Sequence, residues 1–277
     1  MSSTRQLLID HNLEDLFTII YTVTDDYITQ SVEAGRFTLP KIKNQKASYA
    51  ELMTINLVGE ILHEAHAGTW FLLVKQFCKH LFGKLPDVTR YYRVMRNLER
   101  IMADFALCLA NHVQDDTTYS VDSKPMPICK LKRSRSPRAT AEASYGFSTM
   151  GGVYGFKLHA VVNNLQMLCR FAIVPAHEAD VSVAKCLLNA NQDELDRILG
   201  DKAYLGLGIF TPSRENAKVK KPWTKLMSSA RKLIETVFSS LAKRQHLVLG
   251  QLNSFWSVRA SACRKIAAHN LGIWLGL

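Results

Sequence analysis

The chain of 277 residues holds six cysteines, Cys78, Cys108, Cys129, Cys169, Cys186 and Cys263, yet no Cys-x-x-Cys pair. Without that spacing neither a zinc ribbon nor a disulfide framework is indicated, and scattered thiols read as buried, reduced side chains of a cytoplasmic protein. No apolar run approaches the roughly 18 residues needed to cross a bilayer, so a membrane-embedded protein is excluded and no membrane partner is expected. The N-terminal stretch MSSTRQLLIDHNLEDLF carries acids where a signal peptide needs an unbroken apolar segment. Glycine and proline are modest at 14 and 8, while 47% of residues are hydrophobic and 21% charged. Disordered and fibrous chains do not look like this, and the length suits one large domain or two smaller ones.

Acidic residues are scarce in one half only. Residues 1–118 carry 12 basic and 14 acidic side chains, whereas residues 119–277 carry 23 and 10, so the net charge of +11 belongs to the second half. Two functionally different parts are expected. The basic clusters are Lys130, Lys132, Arg133, Arg135 and Arg138, then Arg214, Lys218, Lys220, Lys221 and Lys225. Fields of this kind attract polyphosphates and release counterions on binding them, which favours nucleic acid as the partner.

The first half has the periodicity of helices. Ser48-Tyr49-Ala50-Glu51 has capping-box spacing before the apolar positions Leu52, Ile55 and Leu62. A further helix is expected from Trp70 to Phe82, ending at Gly83 and Pro86. Asp87 can cap the next, whose stripe Tyr91, Met95, Leu98, Met102, Phe105, Leu109 reads as one long helix. At about 100° per residue, Arg93, Arg96 and Arg100 gather on its opposite face. A DNA-docking face and a plain solvated face fit that pattern equally well. His63-Glu64-Ala65-His66 is no zinc-protease motif, because its histidines stand three apart rather than four.

The second half has the pattern of a mixed α/β unit. Strands are expected at Thr117–Asp122, stopped by Lys124-Pro125, at Tyr154–Val162 and at Leu168–Val174, with a turn at Asn163-Asn164 between the latter two. A helix capped by Asp180 runs to about Ala190, a short strand Arg197–Leu199 precedes Gly200-Asp201, and a last stripe joins Leu226, Ala230, Leu233, Ile234, Val237, Phe238 and Leu241. This element order is that of an RNase H-like domain. Asp122 ends the first strand, Asp201 follows the fourth, and Glu235 flanks the final helix. Converging carboxylates suit Mg²⁺ or Mn²⁺, and two such ions can hold the attacking and leaving oxygens of a phosphodiester. Spacing alone fits unrelated caps and surface acids at least as well. Asp115, Asp116, Asp193, Glu194 and Asp196 read as linker or loop acids, and Phe255 and Trp256 as core of a C-terminal helix.

Local sequence narrows the choice. The segments VDSKPMPIC (121–129), YGFKLH (154–159), PAHEAD (175–180), GDKAY (200–204) and RKLIETVF (231–238) occur in an order that resembles bacterial insertion-sequence transposases of the DDE type, over about residues 118–270. The resemblance implies that Asp122, Asp201 and Glu235 form a metal-binding triad. It also implies cleavage at the ends of a mobile element, followed by attack of the freed 3′-hydroxyl on target DNA. Arg231 lies four before Glu235 and shares its helix face. The family's accompanying Tyr and Lys are replaced by Ser228 and Ala242; Lys243 is one residue late, and His246 is placed on the Glu235 side.

The expectation is therefore an all-α DNA-binding region over 1–112 and an RNase H-like catalytic domain over 113–277. DNA contacts are expected at Arg231, Arg93, Arg96, Arg100, Lys132, Arg133 and Arg135. The enzyme would use two divalent ions, work as a homodimer holding two element ends, and act in the cytoplasm on nucleoid DNA. The alternatives are a nuclease of the same fold without strand transfer, and a non-catalytic DNA-binding descendant.

Overall fold

A computed structural model describes residues 12–41, 43–64, 66–113, 118–135, 141–148, 151–189, 197–214, 216–217, 220, 222–247 and 254–277. Asp115, Asp116, Arg138, Asp193, Glu194, Asp196, Lys218 and Lys221 lie outside them. The chain divides into a helical unit of residues 1–108, 244–246 and 259–277, and a sheet unit of residues 109–243 and 247–258. Residues 259–277 thus group with the N-terminal helices, where the sequence suggested the sheet. Among the described residues no helix is long and apolar enough to cross a membrane.

The helical unit begins with α1 (Leu13–Glu33), which the sequence reading passed over although Asn12 caps it by accepting from the Asp15 N–H at 2.8 Å. Next, α2 (Tyr49–Ile61) starts at the expected capping box: Ser48 Oγ accepts from Glu51 N, and the Glu51 carboxylate accepts from Ser48 N. Every residue of α2 except Glu51 is buried, so it is the central helix of its unit. The helix α3 (Ala67–Phe77) ends five residues earlier than Phe82. Phe82 still reaches the core by a turn and meets Phe17 edge-on at 5.3 Å, so its burial needs no helix. The expected long arginine helix is two, α4 (Val88–Asn97) and α5 (Glu99–Asn111), parted at Leu98 (φ −84°, ψ 6°). No glycine or proline announced that break. Asp87 caps α4 as expected.

In the sheet unit β1 (Thr118–Pro127) lies between β3 (Gly151–Asn163), antiparallel, and β5 (Arg197–Leu199), parallel. On its other edge β3 pairs with β2 (Ser144–Ser148) and β4 (Leu168–Pro175). β1 runs straight through Pro125, against expectation. Its pairing with β5 stops at Ser120, and the Ile128 N–H points at Tyr154 O. By alternation Pro125 and Pro127 occupy positions whose nitrogens face away from β3, where no ladder bond is lost.

Helices cover both faces. Below, α6 (Asp180–Asn189) contributes Ala184 and Leu188 to a core with Val121, Val161 and Tyr204. Above, α7 (Lys225–Lys243) buries Ile234, Val237, Phe238 and Leu241, and its Ala230 carbonyl accepts from Ser120 Oγ at 2.9 Å. The last helix, α8 (Phe255–Trp274), opens with Phe255 stacked on Phe156 at 4.9 Å, the core packing expected of it, whereas Trp256 is 48% exposed and not core.

Candidate active site

Ser120 pairs with Leu199 in the parallel ladder. Two residues further along each strand stand Asp122 and Asp201, the latter still extended at φ −80°, ψ −177°. A period of two directs both toward the face that Ser120 turns to α7. The Ser120–Ala230 bond sets α7 across that face, and Arg231 and Glu235 follow on the helix one residue and five residues later. Thus the middle of β1, the end of β5 and one helix bring Asp122, Asp201, Glu235 and Arg231 into one neighbourhood; Asp122 does not end its strand as the sequence suggested, because β1 continues to Pro127.

Each acid has a local partner. Asp122 Oδ1 accepts from Ser123 N at 2.8 Å, Asp201 Oδ1 from Ala203 N at 2.7 Å, and Glu235 Oε1 from Arg231 Nη2 at 2.7 Å. Asp122 is pushed up to about 6, first by burial; the charges of Asp201 and Glu235 add to the rise, while the Ser123 N–H and Arg231 oppose it. Lys124, two residues on, is lowered by burial and held up partly by Asp122. The acids therefore sense one another's charge. Among the described residues, however, no three His, Cys, Asp or Glu side chains are gathered closely enough to hold one ion as they stand. The donor set is nonetheless all oxygen, the chemistry that suits a hard divalent ion.

On the opposite face of β1 and β3 lies a polar group that the sequence reading overlooked. His159 is fully buried, neither ring nitrogen has a hydrogen-bond partner among the described residues, and Asp180 Oδ1 lies 3.8 Å from Nε2. Burial pushes it down to about 4, with Lys157 adding to the fall and Asp180 resisting. Asp180 sits in the first turn of α6 and is bound by Lys157 Nζ at 2.8 Å. Tyr204 is buried beneath Asp201, its hydroxyl raised by burial and by the charges of Asp122, Asp180 and Asp201. The available signal was the alternation Lys157-x-His159 on one strand face.

The cations expected to meet DNA are dispersed. Arg93 on α4 is exposed and Arg96 half-buried, while Arg100 lies beyond the break, on α5. Arg93 instead lines an open groove with Lys41, Lys43 and Arg90, a basic group that their spacing in sequence concealed. Lys132 and Arg133 form an exposed 3-10 turn, Leu131–Arg133, with Arg135 just after it. The helical spacing that put His246 on the Glu235 side does not reach it, because α7 stops at Lys243; residues 244–246 group with the helical unit. Ser228 accepts from Trp223 Nε1 at 2.7 Å.

The sequence model of one family, the transposase DDE domain, matches residues 112–249. No curated protein and no solved structure matches the chain.

Proposed function

We propose that this chain, which over residues 112–249 belongs to the transposase DDE domain family, cleaves DNA at insertion-sequence ends and joins the freed 3′-hydroxyl to target DNA. The observation that carries this is geometric: Asp122 and Asp201 each stand two residues past the paired Ser120 and Leu199, and the helix that Ser120 bonds at Ala230 carries Glu235 with Arg231. Such a site is short of positive charge. The order β4-β3-β1-β5, with β1 and β5 parallel and helices on both faces, supports an RNase H-like core. The helical unit supports a separate region for DNA recognition, and two element ends held at once call for a homodimer.

Asp122, Asp201 and Glu235 would hold a pair of Mg²⁺ or Mn²⁺ ions, which supply polarisation of the phosphodiester and a lowered pKa for the attacking water or hydroxyl. The protein's own part is positioning. The pairing of β1 with β5 holds Asp122 and Asp201 at one level, and α7 would bring Glu235 to them. Arg231, released from Glu235, is placed to contact a phosphate of the bound strand. Lys124 adds a half-buried charge on the Asp122 face. Both chemical steps are in-line displacements, so no covalent intermediate with the protein is required.

The test incubates the purified full chain with labelled element-end DNA and Mn²⁺. Asp122→Ala and Glu235→Gln should each lower cleavage and joining by about a thousandfold, some 4 kcal/mol of barrier. Unchanged cleavage in both variants would sink the assignment. Cleavage without joining would identify a nuclease. Specific binding indifferent to metal and to Asp122→Ala, with no cleavage, would identify a non-catalytic DNA-binding protein.

A further inference from the structure

The β2–β3 hairpin presents an aromatic side chain that the fold does not use. Phe147 is 89% exposed, and Tyr145, two residues before it on the same face, is 54% exposed. In the ladder Phe147 faces Gly152, so no side chain covers it from the neighbouring strand. The missing Cβ of Gly152 would lie 3.4 Å from Leu131 Cδ1, which places the turn Leu131–Arg133 on the same face as the ring. Ser134 Oγ shares a hydrogen bond of 2.5 Å with the Tyr145 hydroxyl, and Tyr145 packs on Tyr154 at 4.9 Å. The cationic turn is therefore fastened to the base of the hairpin. Gly146 holds the hairpin against the main sheet, since a Cβ there would fall 2.2 Å from the Ala176 carbonyl oxygen.

Beside this hairpin cations outnumber acids, of which Glu142 and Glu178 are the neighbours. Lys130, Lys132, Arg133 and Arg135 are all exposed. From residue 123 to 177 the sequence holds a single acid, Glu142. Exposed rings beside cations form a recognised platform for nucleic acid: every base offers a π-face, while lysine and arginine follow the phosphates. A fully stacked duplex hides those faces, so the ring is suited to bases already unpaired or splayed.

We propose that Phe147, with Tyr145 behind it and Lys132 and Arg133 at its side, is a stacking finger for unpaired bases of the DNA that the sheet unit processes. This rests on the reading of the chain as a DNA-processing enzyme. It adds a contact for single-stranded segments, separate from the carboxylates.

The test uses the full chain without divalent metal and a mixed-sequence single strand containing 2-aminopurine, beside the matching duplex. Phe147→Ala should weaken single-strand binding about tenfold and abolish the change in 2-aminopurine fluorescence, leaving duplex binding within about twofold. Phe147→Trp should restore affinity, with its added indole emission quenched by the single strand. Replacing both Lys132 and Arg133 by Ala should weaken both DNA forms and lower the salt slope by about 1.4 for the single strand and about 1.8 for the duplex. Phe147→Ala binding the single strand as the parent does would overturn the proposal. So would loss of self-association or of anionic-vesicle binding in that variant with DNA binding intact, since the ring would then serve a second copy or a membrane. Failure here with Mn²⁺-dependent cleavage preserved leaves the transposase reading standing. A stacking signal without cleavage does the reverse.

Discussion

The two units treat buried carboxylates in opposite ways. In the helical unit Glu60, whose side chain is 4% exposed, is bound by Arg264 at 2.6 Å and by Lys265 at 2.9 Å, and Glu99 is bound by Arg259 at 2.8 Å. Each buried acid has a permanent cation from the C-terminal helix. In the sheet unit the partly buried Asp122 has no such partner among the described residues: Arg231, the nearby arginine, is paired with Glu235. A protein that neutralises its acids so thoroughly in one place and leaves one short in another has two uses for them. The first kind fixes the packing of helices. The second leaves an appetite for positive charge, which a divalent ion would satisfy.

Removing one side of the neutralised kind should have the largest effect on stability. Glu60→Gln leaves Lys265, whose side chain is 1% exposed, as an uncompensated buried charge, and should destabilise the fold by about 3–5 kcal/mol in urea unfolding. A cost near that of an exposed ion pair would erase the contrast between the units.

The next effect belongs to His159 and depends on pH. Its folded-state value near 4 lies below the ordinary 6.5, so between those limits the unfolded chain takes a proton that the folded chain refuses. Stability should therefore fall as pH drops from about 6.5 to 4, by at most about 3 kcal/mol. His159→Leu, which removes the titration from beside Lys157 and Asp180, should flatten that slope in urea midpoints. An unchanged slope would assign the acid sensitivity elsewhere.

Asp122 should give the smallest effect, with the opposite sign. Its folded value near 6 exceeds the ordinary 3.8, so the folded chain gains the proton first and the charged form costs stability above that window. Asp122→Asn should raise stability at pH 7–8 by about 1–2 kcal/mol while steepening the acid loss set by His159. Mn²⁺ should raise the unfolding midpoint of the parent and leave that of the variant in place. A destabilised Asp122→Asn would mean that this acid is structural, like Glu60.

Much of this contrast is local in sequence, and that part could be read there. Ser48 with Glu51, Asp87, the short strand before Gly200-Asp201 and the stripe of α7 all carry their signals within a few residues. Asp201 just past its short strand was legible for the same reason, whereas Asp122, expected to end its strand, lies in the middle of β1. What depended on distant partners was not. The Glu60–Lys265 pair joins residues 205 apart in sequence, so nothing near either one foretold it. The break at Leu98 carried no helix-breaking residue, and the hairpin of Ser144–Ser148 with Gly151–Gly155 was too short and glycine-rich to register as strands. His159 looked like any strand residue until α6 closed over it.

The prolines of β1 reach beyond local geometry. Past Ser120, the flank that β5 no longer occupies runs beside Asp122, and any strand with free backbone groups could dock there, from this chain or another. With rings in place of N–H donors at Pro125 and Pro127, that flank is a zipper missing half its teeth. A stray strand finds little to fasten to, and the way to the carboxylates stays clear for a nucleic-acid backbone.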